Sequence, residues 1–593
     1  MTGQPAHRMI VDIGVRMKMR DGVELVGDVY RPDETGRWPV ILHRNAYDRT
    51  DPGMGSMVIV DPAWLARQGF VVVVQDTRGR GDSDGEFDPV YQEVNDGFDT
   101  VEWAAAQPWS TGAVGIYGSS YMAITTYQAV AARPPHLRAA VAFVGTPKAA
   151  SDRIHGGMFS GTFMPWWAYA NTVMTLLRAD LDPARKADLL SRTIAAASDP
   201  VATANRLPLS EADVISNEDV GNFWQELLAE PGTTGEPRAP LLGYHPDIGD
   251  AKLLHITGYR DFFADHSFDL ATALAGNMNH RFVAGPFTHR GVYTGFTGAR
   301  ELPGTSSPAG PLGWGPLIAA WFDIHLRGGT GAAYPLAQEW LEGESVRYYL
   351  EGENRWANTA SWPPVTHPSE WHQESDGNAR SASGDGRILS PGKVALEHRA
   401  DTFTVDPFNP FPTHGGAGGM PEDGPEGVQD QREVDHRDDL LVYTSEPLTD
   451  AVRIAGRQQL VLQFACSAPD ADLCVKLVDV DPHGYAYNVA DAFQRMRYRK
   501  GGTTDWLEMG KVEEVTLTFH DTAHVFKEGH CIRVMIAGAN FPRHSRNLHT
   551  KTIPEFGTRD EAVSADYHVH HGPTLLSRLV LREMKGGSSP SIA

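Results

Sequence analysis

Val114-Gly115-Ile116-Tyr117-Gly118-Ser119-Ser120-Tyr121-Met122-Ala123 is the stretch on which the reading of this chain turns. A β-type run enters a tight Gly-Ser-Ser turn, and Tyr121 to Ala131 then reads as a helix. That context suits a nucleophile elbow, in which a strained strand-to-helix turn exposes a serine hydroxyl. Sterics choose the serine, because the residues two before and two after it approach closely and should be small. Those neighbours are Gly118 and Met122 for Ser120, but Tyr117 and Tyr121 for Ser119, so Ser120 is the predicted nucleophile. Met122 departs from the usual second glycine. A literal G-x-S-x-G occurs elsewhere, at Gly81-Asp82-Ser83-Asp84-Gly85, but no helix follows it and two aspartates would oppose an oxyanion. Ser83 therefore reads as part of a polar turn.

A serine nucleophile needs a base, and the base needs an orienting acid. In α/β-hydrolases they follow in the chain order Ser, Asp/Glu, His. Two strand ends downstream offer them. Leu254-His255-Ile256-Thr257-Gly258-Tyr259-Arg260-Asp261 places Asp261 past one strand, and Phe282-Val283-Ala284-Gly285-Pro286-Phe287-Thr288-His289 places His289 past the next. One helix and one strand fit between them. For the oxyanion, the backbone N–H of Tyr121 is one expected donor. The second is expected from the loop around Leu42-His43-Arg44-Asn45-Ala46-Tyr47-Asp48-Arg49, whose members the pattern alone does not separate.

Outward from this motif the chain shows three textures. Residues 1–145 and 248–345 alternate continuous apolar strands with helices, the signature of a parallel sheet covered on both faces. Residues 146–247 lose the strand signal and read as a helical cap, with predicted helices at Pro183 to Ala197 (N-cap Asp182) and Ser216 to Leu228. Residues 346–593, beginning with the strand-like Val346 to Leu350, carry β-runs divided by Gly/Pro/Asp turns and read as a β-sandwich or jelly roll. The predicted fold class is thus α/β: a parallel-sheet core with an inserted helical cap and a C-terminal β domain. Asp406 to Glu426 reads as a long loop, and no internal repeat is visible.

The formal charge of −23 argues against nucleic acid, whose binding rests on Lys/Arg contacts to phosphate, and against anionic membrane surfaces. No apolar run reaches the length of a spanning helix. The N-terminal MTGQPAHRMI carries no signal pattern, and three cysteines without C-x-x-C spacing disfavour disulfides and a thiolate zinc site. A cytoplasmic protein without metal or cofactor, acting on a small molecule and free to form homo-oligomers, is expected.

At this point the residues carry a family resemblance. Arg20-Asp21-Gly22-Val23-Glu24-Leu25, Arg44-Asn45-Ala46-Tyr47-Asp48, Asp76-Thr77-Arg78-Gly79-Arg80-Gly81, Gly118-Ser119-Ser120-Tyr121, Gly258-Tyr259-Arg260-Asp261 and Gly285-Pro286-Phe287-Thr288-His289 belong to it. So do Glu353-Asn354-Arg355-Trp356 and Asp430-Gln431. Over nearly its whole length the chain resembles the cocaine esterase-like serine hydrolases, relatives of X-prolyl dipeptidyl peptidases, α-amino acid ester hydrolases and glutaryl acylases. The resemblance implies an α/β-hydrolase core, a helical cap and a jelly roll. It also implies a triad at Ser120, Asp261 and His289, and an oxyanion role for the Tyr47 hydroxyl beside the Tyr121 amide.

Departures narrow the substrate. Relatives that bind a free α-amino group carry acids two and three positions past the triad aspartate, where this chain has Phe263 and Ala264. Phe263 instead resembles the esterases that take aromatic acyl groups. Trp166 and Trp167 of the cap are further candidates for an acyl pocket. The expected activity is carboxylic ester hydrolysis through an acyl-enzyme. The alternatives are an amidase or peptidase of the glutaryl-acylase or X-prolyl type, and a polymer-binding protein with a vestigial triad. His568-Val569-His570-His571 lacks further ligands for a metal, and Asp470, Asp472, Asp479 and Asp481 read as solvated turn residues rather than a calcium site.

Overall fold

Short runs of buried β-branched residues, of which Val71–Asp76 is buried at every position, assemble into one ten-stranded sheet. Its strands are β1 (Met9–Lys18), β2 (Glu24–Pro32), β3 (Trp38–Asn45), β4 (Val71–Asp76), β5 (Ser110–Ser119), β6 (Leu137–Phe143), β7 (Lys252–Arg260), β8 (His280–Thr288), β9 (Val346–Leu350) and β10 (Arg355–Thr359). Their order is β1-β2-β4-β3-β5-β6-β7-β8-β9-β10, and β4 through β9 of that order run parallel. This computed structural model describes residues 7–51, 59–148, 154–217, 224–228, 246–300, 302, 313–418, 424–501 and 503–584.

The sequence reading assigned Val346 to Leu350 to the C-terminal β domain, and the structure corrects it. β9 pairs parallel with β8 through Phe282↔Val346, and β10 closes the same sheet antiparallel. The border at 346 therefore falls inside the hydrolase sheet. A strand's sheet is chosen by long-range pairing, which local composition does not reveal.

The helix Tyr121–Ala132 follows β5 and is buried along nearly its whole length, as befits a helix that is apolar on all sides. In the region expected as a cap, Phe163–Arg178 and Pro183–Ala197 are helices. Asp182 caps the second by accepting from the N–H groups of Ala184 and Arg185, both at 3.0 Å. Of the helix expected over Ser216 to Leu228, only Trp224–Leu227 is helical, and 218–223 lie outside the described residues.

The C-terminal region forms a thirteen-stranded, mostly antiparallel sheet whose strands all feed one apolar cluster, including Trp371, Phe403, Leu462, Val475, Ile536 and Val569. It seats on the far edge of the hydrolase sheet, where Ala455, Ala523 and Val525 pack against Tyr259, Phe268, Tyr348 and Trp362. Asp470, Asp472 and Asp479 are not solvated: they are buried, with Asp470 on Arg497, Asp472 on Arg495 and Asp479 between His524 and His530. Their partners are distant in sequence, so the turn reading could not see them. Asp481 does cap a turn, accepting from the His483 and Tyr485 amides.

Candidate active site

Loops leaving the carboxyl ends of β3, β5, β7 and β8 converge, as ligand sites do in open α/β sheets. At the end of β5, Ser120 holds φ 55° and ψ −124°, a left-handed conformation that costs strain in a non-glycine residue. Its neighbours make the turn possible. A Cβ on Gly118 would lie 2.2 Å from the Met122 carbonyl oxygen, and one on Gly145 would lie 2.3 Å from the Ala123 Cβ. Gly118 and Gly145 thus make the room at the turn, and Met122 is accommodated without a glycine two residues past Ser120.

Ser120 Oγ lies 3.0 Å from His289 Nε2, and His289 Nδ1 lies 2.9 Å from Asp261 Oδ1. The same carboxylate oxygen accepts from the Phe263 amide at 3.2 Å, which fixes its direction. Ser120, His289 and Asp261 are 6%, 7% and 2% exposed, so the row is enclosed but not sealed. Tyr121 opens the helix after Ser120, so its amide is one of the first-turn N–H groups that lack an intrahelical acceptor, at the positive end of the helix dipole. The Tyr121 side chain is committed elsewhere, donating to Glu93 Oε1 and accepting from the Val90 amide.

Tyr47 stands on the loop after β3. Asn45 Oδ1 accepts its amide at 3.0 Å, and Arg49, two residues on, is clamped by Asp76, Asp82 and Asp28. Trp167 Nε1–H donates to the Tyr47 hydroxyl oxygen at 3.2 Å, leaving the hydroxyl hydrogen to be donated. Burial pushes the Tyr47 phenol up to about 12, so it stays protonated across the ordinary pH range.

An aromatic wall flanks the imidazole. The Phe262 ring lies 4.4 Å from that of His289 and Phe263 5.5 Å. Phe163 of the cap packs at a tilt against Phe262 at 4.6 Å and links Trp166 to the group at 6.0 Å. Trp167 also stacks on Tyr121, at 6.4 Å. Sequence reasoning missed Phe163 and Phe262, although Phe262 directly follows Asp261, one position past the motif.

Ser83 stands apart. Fully buried, its hydroxyl donates to the Asp76 carbonyl and accepts from the Val26 amide, both at 2.8 Å. No group of three or more His, Cys, Asp or Glu that could hold a metal ion occurs among the described residues. His568 Nδ1 is paired with Thr402 Oγ1 at 2.8 Å. No helix among them is long and apolar enough to cross a membrane.

Residues 21–291 match the X-Pro dipeptidyl-peptidase (S15 family) model, and residues 339–580 match the X-Pro dipeptidyl-peptidase C-terminal non-catalytic domain. Cocaine esterase of Rhodococcus sp. (strain MB1 Bresler) is 31% identical, over 96% of this chain and 98% of that protein. Among solved structures, an aminopeptidase from the marine sediment archaeon Thaumarchaeota archaeon superposes with a TM-score of 0.79 at 22% identity, covering 99% of this chain and 98% of that one. An α-amino acid ester hydrolase does so at 0.68 and 21%, covering 98% of both chains. At those identities the structures speak for the fold alone, an α/β-hydrolase with a β-rich C-terminal domain. The chain belongs to the family of serine hydrolases that contains the X-Pro dipeptidyl-peptidases and cocaine esterase.

Proposed function

We propose that the protein is a carboxylesterase that cleaves esters of aromatic carboxylic acids through an acyl-enzyme. The observation that carries the reading is the Ser120–His289–Asp261 row, set at a helix N-terminus and walled by Phe262 and Phe263. Ser120 Oγ attacks the ester carbonyl while His289 Nε2 takes its proton. Asp261 holds the proton on Nδ1 and stabilises the imidazolium. The Tyr121 amide and the Tyr47 hydroxyl donate to the oxyanion. Collapse expels the alcohol, which receives the proton from Nε2. Water activated by the same nitrogen then attacks the acyl-serine, releasing the acid and restoring the serine hydroxyl.

The aromatic wall supports an aryl acyl group through stacking and apolar burial. A peptidase of this family type would need a carboxylate for the substrate's ammonium. Phe262, Phe263 and Ala264 follow Asp261, and the first acid on that helix, Asp265, is engaged by His520 at 2.7 Å. Three unpaired cysteines suit the reducing compartment that a cytoplasmic location would provide.

A panel of chromogenic substrates tests the proposal. The benzoyl ester should exceed the acetyl ester in kcat/KM by at least roughly tenfold, the scale of discrimination available to an apolar pocket. The matching anilide and an X-Pro anilide should be cleaved far more slowly. Faster turnover of the X-Pro anilide would replace esterase by peptidase.

A further inference from the structure

We propose that Arg260, gripped by the C-terminal domain, is a positioning residue that keeps Asp261 and His289 aligned for catalysis. The inference rests on the catalytic roles proposed above for those two side chains.

Arg260 ends β7 and pairs in register with Thr288 at the end of β8, so Asp261 and His289 are the next residue on each strand. The ladder between the strands is irregular between Gly285 and Thr288. Backbone hydrogen bonding therefore leaves the catalytic ends of the two strands less firmly tied than their middles. The Arg260 side chain supplies a tie from outside the sheet. Only 3% exposed, its guanidinium grips Glu351 at 2.5 and 2.8 Å, and its Nη2 also donates to the carbonyls of Val489 and Asn488 at 3.3 and 3.4 Å.

Glu351 follows β9 and is itself seated on the C-terminal sheet. Its amide donates to the Ala523 carbonyl, and its carbonyl accepts from the Val525 amide, both at 3.0 Å. Behind Glu351 the charges continue. His524 Nδ1 lies 3.7 Å from Glu351 Oε2, His524 Nε2 lies 3.0 Å from Asp479 Oδ2, and Asp479 Oδ1 meets His530 Nδ1 at 2.7 Å. An unbroken line of ionisable groups thus runs from the C-terminal domain to the residue preceding Asp261. Packing alone would be served by apolar side chains, because a buried ion pair forfeits hydration that its attraction barely recovers. What a forked guanidinium adds is direction: two parallel hydrogen bonds fix the strand end in orientation as well as position.

Four full-length variants test the role by kcat, KM and melting temperature on an aryl ester. Arg260→Lys keeps the charge and most of the packing but loses the fork. Arg260→Met with Glu351→Met removes both charges, so neither is left buried and unpaired. Asp472→Asn breaks the Arg495 pair, equally buried but placed within the C-terminal sheet. Ser120→Ala checks the catalytic row independently. Displacing a reacting group by about 1 Å costs up to ~10²-fold. Arg260→Lys and the double Met variant should therefore lose roughly 10- to 100-fold in kcat, with KM little changed and the pH of half-maximal kcat/KM displaced. The double variant should do so even where its melting temperature matches the parent. Asp472→Asn should melt earlier yet keep the parent kcat. A folded Arg260→Lys or double Met variant with parental kcat and pH profile would overturn the proposal, as would an equal kcat loss in Asp472→Asn. A Ser120→Ala protein that still turned over would indict the catalytic row instead.

Discussion

Among the described residues, a serine, a histidine and an aspartate meet both at the sheet edge and in the C-terminal domain. At the sheet's carboxyl edge, His289 presents Nε2 to Ser120 and Nδ1 to Asp261, so a proton taken on one side is balanced on the other. In the C-terminal domain, His571 turns the single atom Nε2 toward both Ser375, at 2.9 Å, and Asp401, at 3.2 Å. Ser375 also contacts both Asp401 oxygens, at 2.9 and 2.7 Å. Burial pushes the Asp401 carboxyl up, but hydrogen bonds from His571, the Ala379 amide, Ser375 and Tyr443 outweigh it and hold its pKa below the ordinary value. That is a satisfied polar knot in a core. The difference teaches that residue types do not make a relay; the two faces of one imidazole do, and only the first cluster adds the N-terminus of a helix, where the oxyanion site is proposed.

The largest expected effect separates the two clusters. Ser120→Ala should reduce kcat by at least ~10³-fold. Ser375→Ala should leave kcat unchanged and destabilise the fold by about 1–3 kcal/mol, because it strands buried partners. Equal kcat losses would dissolve the comparison.

Next comes Tyr47→Phe, which removes one proposed oxyanion donor and little volume. Its kcat should fall about 10²–10³-fold with KM nearly constant. A phenylalanine variant within about threefold of the parent would take Tyr47 out of the mechanism. A smaller effect sharpens the same point. Trp167→Phe deletes the N–H that orients the Tyr47 hydroxyl and trims the indole that stacks on Tyr121, so a loss of at least roughly three- to tenfold is expected, the worth of that one hydrogen bond. No loss at all would mean that Tyr47 orients itself.

The smallest effect concerns acid. In the hydrolase sheet, burial drives His43 and His280 down to about 4 and His255 well below its usual value, so all three fold neutral. The unfolded chain takes up those protons near ~6.5, so this stability is complete above that pH and drains as pH falls toward 4. In the C-terminal domain burial likewise lowers His372, His414, His549 and His570, which add to the same trend. At His524 and His520, by contrast, Asp479 with Glu351, and Asp265, outweigh burial and raise those two. Their contribution is complete below ~6.5 and fades as pH rises through their higher folded values. Calorimetry between pH 7 and 5 should find the melting temperature falling as acid is added, with His280→Phe blunting the trend. A trend unaltered by that substitution would remove the buried imidazoles as its cause.

The legible parts of this protein were those written in local sterics and chain order. Gly118 and Ser120 announced the elbow, and two strand ends announced Asp261 and His289. What stayed hidden was set by distant partners. β9 looked like any strand until Phe282 paired with Val346, and Asp470 and Asp472 looked like turn residues until Arg497 and Arg495 reached them. The Ser375 knot joins residues 26 and 196 apart in sequence, and no pattern foretold it. Within the site, Tyr47 came from family resemblance. Its hydrogen bond to Trp167 came only from the packing of the cap on the core.

Covalent labelling tests the central claim most directly. The full-length protein would be treated with an aryl phosphonate, digested, and its adduct located by mass spectrometry. The account predicts stoichiometric modification of Ser120, abolished in His289→Ala, with Ser83 and Ser375 untouched. An adduct on either of those serines, or none on Ser120 in an active preparation, would contradict it.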